Sequence, residues 1–221
     1  MPRSVSGASR SSVIAYRAYW KELLPQFKGK GLKWFAETDI SVADDEELLD
    51  LMRETGCAQV LIGLESPTES GLHGLELSND WKFRKFPHYQ KAIRAIQSRG
   101  VTVNGCFVLG LDGHTPEIFD QVFDFVRAVE LYEVQVTLLT PFPGTPLYAR
   151  LERENRLLEP LNWKKCTLFD INFKPANMSA TELHDGHTAL IDAVHGGMVG
   201  GFRTRRRESV ESDYGKLGHF Q

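Results

Sequence analysis

Polar side chains recur in this sequence where apolar runs end. They are Glu37, Thr38 and Asp39 after the first run, Glu65 and Ser66 after the second, Asp112 after the third and Thr140 after the fourth. In parallel α/β folds the carboxyl ends of the strands converge on the active face, so this recurrence predicts contact with a polar ligand. A helix cap or a loop hydrogen bond explains any single one equally well. An oxygen-rich metal site formed by Glu37, Glu65 and Asp112 is a further alternative.

A glycine-bearing segment, GLDGHTPE, follows the third apolar run and opens a helical pattern. Gly110 and Gly113 have no side chain in the way, so backbone N–H groups there can approach a ligand closely. A simple tight turn explains the segment as well, and because it is not GxGxxG it does not predict dinucleotide binding. His114, beside it, is interpreted as a helix cap or a surface residue rather than a base.

The three cysteines, Cys57, Cys106 and Cys166, lie far apart and show no CxxC or CxxxC spacing. An odd count in a reducing compartment argues against a disulfide framework. We therefore interpret them as small, partly buried apolar residues without a chemical role.

Four apolar runs alternate with amphipathic stretches, which is typical of βαβ units in a parallel sheet or barrel. The runs span residues 32–40, 58–66, 101–110 and 132–140. Their nearly continuous apolar character predicts strands that are covered on both faces. Right-handed crossovers then place the strands side by side in chain order.

Capping residues mark the helices that accompany these strands. The predicted helix ends are Gly56 and Gly100, and the predicted starts are Thr115 with Pro116, Thr145 with Pro146, and Ser179 with Glu182 in a capping box. An amphipathic helix is also predicted before the first strand, from Val13 to about Pro25. The longest connection, residues 66–86, is polar and contains Trp81, so it is either a substrate-contacting loop or a surface excursion.

The composition of the 221 residues is that of a single globular domain, with 42% hydrophobic and 25% charged residues. A formal net charge of −3 does not indicate the basic surface that nucleic-acid-binding proteins carry. No window approaches the roughly 18 apolar residues of a membrane span, and the first residues lack the apolar core of a secretory signal. These features predict a cytoplasmic protein without a nucleic-acid partner.

Three segments in order carry a resemblance to a known family: WFAETDISVADDEELLDLMRETGCAQVLIGLESP, GVTVNGCFVLGLDGHTPEIFDQVFDFV and LLTPFPGTPLYARLE. Together they resemble the radical S-adenosylmethionine proteins that commonly follow a cobalamin-binding domain. The resemblance implies an α/β fold, a partial TIM-like (β/α)6 barrel whose four strands are the third to the sixth, with a helical C-terminal extension. It implies S-adenosylmethionine and a [4Fe–4S] cluster as cofactors, with cobalamin in the full-length protein, and a small-molecule substrate.

The same resemblance implies a set of cofactor-binding residues. Glu65 and Ser66 are expected near the ribose or amino-acid part of S-adenosylmethionine. The strand from Gly105 to Gly110 is expected to flank the adenine, with Phe107 and Val108 in contact, and Glu37 and Asp112 to face the same cavity. The implied domains are a disordered N-terminus (1–12), the partial barrel (13–158), the C-terminal extension (159–194) and a disordered tail (195–221).

The sequence departs from the family in its cysteines. Family members hold the cluster on a CxxxCxxC loop after the first barrel strand, and this chain has neither that loop nor the first two strands. We therefore expect the chain to be inactive alone, with an open sheet edge that receives a missing N-terminal half or a partner chain. A non-catalytic scaffold and a self-contained metal enzyme are the alternatives.

Overall fold

The computed structural model describes residues 16–75 and 80–198. Of the segments predicted to be disordered, residues 1–12 and 199–221 lie outside the described residues. Residues Val194–Met198 continue the last helix as a π turn. Among the described helices, none has the length and apolarity needed to cross a membrane.

Four parallel strands form one sheet in the order β1-β2-β3-β4, as predicted from the crossover rule. They are β1 (Trp34–Thr38), β2 (Cys57–Glu65), β3 (Thr102–Leu109) and β4 (Glu133–Leu138). In the β1–β2 register Phe35 lies opposite Gln59 and Thr38 opposite Ile62, with an irregularity between Trp34 and Phe35. The predicted fold class, an α/β partial barrel, is confirmed.

Eight α-helices accompany the strands in the described residues. They are α1 (Arg17–Leu23), α2 (Glu46–Glu54), α3 (Glu69–Leu72), α4 (Trp81–Lys85), α5 (Tyr89–Ser98), α6 (Ile118–Val129), α7 (Pro146–Arg153) and α8 (Ala180–Ala193). Short 3-10 turns occur at Leu24–Phe27, Ile40–Asp44, Phe86–His88 and Trp163–Lys165. The connection predicted as one long polar loop, residues 66–86, thus contains α3 and α4.

The strands are buried mainly on alternate residues, apart from residues 103–105 of β3, and not on both faces throughout as predicted. In β2, Val60, Ile62 and Leu64 are fully buried, whereas Leu61 and Gly63 between them are half-buried. Successive side chains of a strand point to opposite faces, so one row faces the core while the other is partly accessible. A nearly continuous apolar sequence does not distinguish a covered face from an open one, which is why the prediction was wrong.

The chain divides into two compact units. Unit 1 comprises the residues up to Gly63 together with His88–Asn104, and unit 2 comprises Leu64–Pro87 together with the residues from Gly105 onward. Strands β2 and β3 run through both. In unit 1 the apolar stripe of α2, Leu48, Leu49 and Met52, is fully buried, as its helical spacing predicts.

The helix boundaries follow the predicted caps with one exception. Thr145 accepts a hydrogen bond from Tyr148 N with Pro146 following, and Ser179 forms a complete capping box with Glu182. The start of α6 was predicted at Thr115, but the helix begins at Ile118. Residues 115–117 are exposed and form a turn in which Ile118 N donates to the Thr115 carbonyl at 3.0 Å.

Candidate functional site

The carboxyl end of β2 lies in unit 2 and carries a strained acidic residue. Glu65 is the last residue of β2 and has φ 64°, a left-handed conformation that a side chain rarely adopts. Its half-buried carboxylate forms an ion pair with Lys82 of α4. Strain of this kind costs on the order of 1 kcal/mol and concentrates at functional sites, so Glu65 is the strongest single candidate.

Ser66 follows Glu65 and is completely buried. Its Oγ lies 3.0 Å from His114 Nε2 and 3.0 Å from Thr68 Oγ1, while Thr68 accepts from Gly71 N as the cap of α3. The Ser66–His114 hydrogen bond joins the end of β2 to the β3–α6 loop. The two loops that carry predicted site residues are thereby held together.

His114 is 2% exposed, which corrects its interpretation as a cap or surface residue. Burial lowers the pKa of its imidazole to about 4, so the ring is neutral at neutral pH. Its Nδ1 is buried without a hydrogen-bond partner among the described residues. Gly71 packs directly against this pair, because a Cβ there would lie 2.3 Å from Ser66 Oγ and 2.4 Å from His114 Nε2.

Asp112, on the same loop, is held by two arginines. Arg156 donates to Oδ1 at 2.7 Å and Arg150 donates to Oδ2, while Asn177 Nδ2 donates to the Asp112 carbonyl at 2.6 Å. Partial burial acts to raise the pKa of Asp112, but the hydrogen bonds and charges of the two arginines outweigh it and lower the pKa overall. Both carboxylate oxygens are thus engaged within the protein, so Asp112 fixes the loop to α7 and the extension.

The residues of β3 divide between the two faces of the strand. Phe107 is fully buried, with its ring 6.0 Å from that of Phe125 on α6, and Gly105 packs against Leu131 and Leu64. Val108 belongs to the other, half-buried row. The expected joint contact of Phe107 and Val108 with one ligand conflicts with this alternation, because adjacent side chains point to opposite faces.

Gly110 ends this segment with φ 87°, and a Cβ on it would lie 2.7 Å from Phe173 and 3.0 Å from Leu183. Only glycine therefore suits both the backbone conformation and the packing against the extension. Thr140, the last predicted strand-end residue, is buried, and its hydroxyl donates to the Leu138 carbonyl at 3.0 Å. The Thr140 hydroxyl thus makes a local hydrogen bond, which is the alternative stated for the strand-end residues.

The strand-end residues of β1 lie in unit 1. Glu37 is exposed and alternates with the buried Ala36 and Thr38. Asp39 caps the following 3-10 turn by accepting from Ser41 N at 2.8 Å, so for this residue the cap explanation holds. The structure thus brings Glu65, Ser66, Gly110 and Asp112 together within unit 2, with Glu37 in unit 1.

The alternative of an oxygen-rich metal centre is contradicted by the charges. Within residues 16–75 and 80–198, no group of three or more His, Cys, Asp or Glu side chains is arranged to hold a metal ion. Asp112 is paired with arginines and Glu65 with a lysine. Cations of the protein itself therefore occupy the carboxylates that a metal would need.

The extension also closes the outer side of β4. His187 of α8 donates from Nε2 to the Val136 carbonyl at 3.1 Å, and Leu138 N donates to the Leu168 carbonyl at 2.7 Å. These backbone groups of an edge strand are satisfied without another strand. In the described chain, β1 is the other edge of the sheet.

Comparison with known proteins identifies the fold. The structure of the radical S-adenosylmethionine methyltransferase TsrM from Kitasatospora setae, with cobalamin and a [4Fe–4S] cluster bound, matches with a TM-score of 0.62 at 18% identity, over 91% of this chain and 51% of that one. The chain shares the fold of this radical S-adenosylmethionine protein. The resemblance seen in its sequence motifs is confirmed, and no protein-family model matches the sequence.

Two curated sequence relatives are named as methyl-transferring enzymes. The bacteriochlorophyllide d C-12(1)-methyltransferase of Chlorobaculum tepidum is 24% identical over 83% of the chain, which spans 39% of that protein. The hopanoid C-2 methylase of Rhodopseudomonas palustris is 30% identical over 61% of the chain, which spans 25% of that protein. The chain thus matches about a quarter to two fifths of the length of these relatives.

Sequence reasoning missed the residues that hold the site residues in place. Lys82, Arg150 and Arg156 reach across 17, 38 and 44 positions of sequence to their acidic partners. Charged residues on amphipathic helices and loops give no signal of such long-range pairing. The burial of His114 had one weak signal in the sequence, the adjacent Gly113, whose missing side chain permits close packing.

Proposed function

We propose that this chain forms part of a radical S-adenosylmethionine enzyme, in which the strand ends of unit 2 contact S-adenosylmethionine. The observation that carries the proposal is Glu65, a strained carboxylate at the end of β2 beside the buried Ser66–His114 pair. Carboxylates accept hydrogen bonds from ribose hydroxyls and from ammonium groups. The half-buried Val108 suits an adenine ring at the neighbouring strand end, while Gly110 packs against Phe173 and Leu183 of the extension and ends the strand segment.

The other predicted residues hold the proposed contact residues in place. Gly105 and Phe107 build the core under β3, and Asp112 fixes the β3–α6 loop through Arg150 and Arg156. His114 holds the end of β2 against the same loop. Glu37 is an exposed acid of β1 in unit 1, and its contact with the cofactor stays a prediction.

The described residues do not fit a [4Fe–4S] cluster, which needs thiolate ligands. Cys57 is 1% exposed, and burial raises the pKa of its thiol to about 12, so it is a poor source of thiolate. Its distance in sequence from Cys106 and Cys166 does not resemble a cluster loop. We propose that the ligands come from a polypeptide segment that pairs with the open edge of β1, and that this chain is inactive without it.

The proposed substrate class rests on the names of the relatives. Bacteriochlorophyllide and hopanoids are polycyclic compounds, and their methylation is the activity for which the two relatives are named. We propose that the complete enzyme carries out methyl transfer to, or an oxidative rearrangement of, a small organic molecule. The absence of a membrane-crossing helix among the described residues is compatible with a cytoplasmic enzyme.

Calorimetric titration of the full 221-residue chain with S-adenosylmethionine tests the cofactor proposal. We expect saturable binding that weakens about tenfold in Glu65→Gln, because one charge-assisted hydrogen bond is worth roughly 1.5 to 3 kcal/mol. Glu152→Gln is the matched control, an exposed acid on α7 of the same unit. Failure of the folded chain to bind, or equal affinity of the two variants, contradicts the proposal and favours a non-catalytic scaffold.

Anaerobic reconstitution with iron and sulfide tests the cluster proposal. The chain alone is expected to form no stoichiometric cluster, and the chain mixed with a polypeptide that carries two barrel strands and a CxxxCxxC loop is expected to form one. Electron paramagnetic resonance of the dithionite-reduced samples distinguishes the two. A stoichiometric signal from the chain alone means that its three cysteines converge, and the proposed division of the site is then wrong.

A further inference from the structure

Exposed apolar side chains concentrate in one loop of unit 2. Five of the ten large hydrophobic residues that are exposed in the described chain lie within residues 158–169, which we call the apolar loop. They are Leu158, Leu161, Trp163, Leu168 and Phe169, and Leu161, Trp163 and Phe169 are each more than 60% exposed. Such a concentration on a protein surface marks a site of interaction.

The neck of the apolar loop is rigid. Leu157 and Phe173 form an antiparallel bridge, and Phe173 is fully buried. The buried amide of Asn172 accepts from Glu159 N at 2.8 Å and donates to the Glu159 carbonyl at 3.0 Å. Leu161 N donates to the Tyr148 hydroxyl at 3.0 Å, which fixes the loop at its tip. The exposed side chains are therefore presented by an ordered frame.

Two leucines of this loop are strained as well as exposed. Leu161 has φ 59° and Leu168 has φ 68°, in the left-handed region that costs a side-chain-bearing residue roughly 1 kcal/mol or more. Burial does not offset this cost, because both side chains are exposed. Tertiary hydrogen bonds hold both backbones in this conformation, from Leu161 N to the Tyr148 hydroxyl and from Leu138 N to the Leu168 carbonyl, and strain maintained in this way is concentrated at ligand-binding sites.

The apolar loop lies beside the strand ends of unit 2. The Leu168 carbonyl accepts from Leu138 N at the carboxyl end of β4, and Leu139 N donates to the Leu109 carbonyl at the end of β3. In α/β folds, ligands bind outside the carboxyl ends of the strands. This location favours a small ligand over a protein partner as the occupant.

The charges in and beside the apolar loop indicate the ligand's polar group. Glu159 pairs with Asn162, and Asp170, which follows the loop, pairs with Lys165 and Thr167. Both acids are thus neutralised or engaged, whereas the side chain of Lys164 is exposed on the 3-10 turn next to Trp163. The exposed ammonium of Lys164, which follows Trp163 in the chain, complements an apolar molecule that carries a carboxylate.

We propose that the apolar loop binds the substrate, an extended apolar ring system with a carboxylate, through Trp163, Leu161 and Phe169, with Lys164 facing the carboxylate. The inference rests on the proposed function, since it places the substrate of that enzyme at the strand ends. It adds the class of ligand and the residues that select it.

Binding of protoporphyrin IX to the full chain, followed by fluorescence anisotropy, tests the inference. Trp163→Ala and Leu161→Asn are expected to weaken binding at least tenfold, and asparagine tolerates the backbone conformation at position 161. Tyr19→Ala, an equally exposed aromatic in unit 1, is the control and is expected to bind like the wild type. Lys164→Gln is expected to weaken binding of protoporphyrin IX severalfold and to leave its dimethyl ester unaffected.

Equal loss of affinity in Trp163→Ala and Tyr19→Ala, or loss in neither, overturns the inference. So does sedimentation that shows a wild-type dimer and a monomeric Trp163→Ala, because the apolar loop is then a contact between two copies. S-adenosylmethionine binding by Trp163→Ala is measured in parallel and is expected to equal that of the wild type. A negative porphyrin result with intact S-adenosylmethionine binding thus rejects this inference alone.

Discussion

At the scale of single residues, the positions of the acids could be predicted from the sequence, whereas the residues that hold these acids in place could not. Glu65 and Asp112 follow apolar runs, and the sequence placed both at strand ends. The partners of these acids, Lys82 and Arg156, were not predictable, because each pairing depends on how distant segments fold together. The interpretation of His114 was wrong for the same reason, because its burial depends on contacts with the distant Ser66 and Gly71.

The buried imidazole of His114 makes the stability of the protein depend on pH. Its pKa is about 4 in the folded chain against 6.5 for the free side chain, so the unfolded chain binds the proton first as the pH falls. The stabilisation is complete above about pH 6.5 and is lost as the pH falls toward 4, by about 3 kcal/mol in total.

His114→Gln is expected to remove this dependence, because the amide can still donate to Ser66 Oγ but does not titrate. Urea unfolding of the variant and the wild type between pH 7.5 and 4.5 measures the His114 contribution to the pH dependence. The carboxylates titrate alike in both proteins, so their effect cancels in the difference between the two free energies of unfolding. Parallel pH profiles for the two proteins would show that His114 does not bind a proton on unfolding.

At the scale of elements, local capping chemistry predicted helix ends well where nothing else competes for the capping residue. Thr145 and Ser179 cap α7 and α8 as predicted. The β3–α6 loop is different, because residues 115–117 form an exposed turn and α6 begins only at Ile118, while Gly113 packs on the Ser70 carbonyl and His114 is buried. The alternation of burial in each strand was hidden because both rows are largely apolar.

Gly110→Ala tests how tightly the end of β3 is packed on the extension. The substitution combines a strained left-handed alanine with contacts too close to Phe173 and Leu183, so the free energy of unfolding is expected to fall by about 2 to 4 kcal/mol. Gly144→Ala is the matched control, since Gly144 has the same φ of 87° with nothing within 4 Å of an added Cβ.

The control isolates the backbone cost, which is about 1 kcal/mol. Chemical denaturation of both variants measures the difference. Equal destabilisation would mean that Phe173 and Leu183 move aside freely and that the extension is loosely attached.

At the scale of the whole molecule, the order of the motifs predicted the strand order and the family relationship, which the comparisons confirm. What composition and motif order could not give is the distribution of burial among similar side chains. The cysteines show this: all three were expected to be partly buried, yet Cys57 is fully buried, whereas Cys106 and Cys166 are intermediate.

Thiol labelling turns that difference into a measurement of folding. In the native chain, Cys106 and Cys166 are expected to react with iodoacetamide. Cys57 is expected to react only when the protein unfolds, because its thiol is buried and burial raises its pKa. Mass spectrometry of labelled peptides at increasing urea gives the protection of Cys57 directly. Labelling of Cys57 at the same rate as Cys166 without denaturant contradicts its burial.

The hydrogen bonds that His187 and Leu168 make to β4 have a consequence for assembly. A parallel sheet grows by adding strands at its two edges. Here the β4 edge is already blocked by the His187 side chain and by the loop that contains Leu168. Among the described strands, β1 is therefore the edge that remains open to strand addition. Two copies that paired through β1 would each present only the blocked side of β4 outward, so that pairing would end at a dimer.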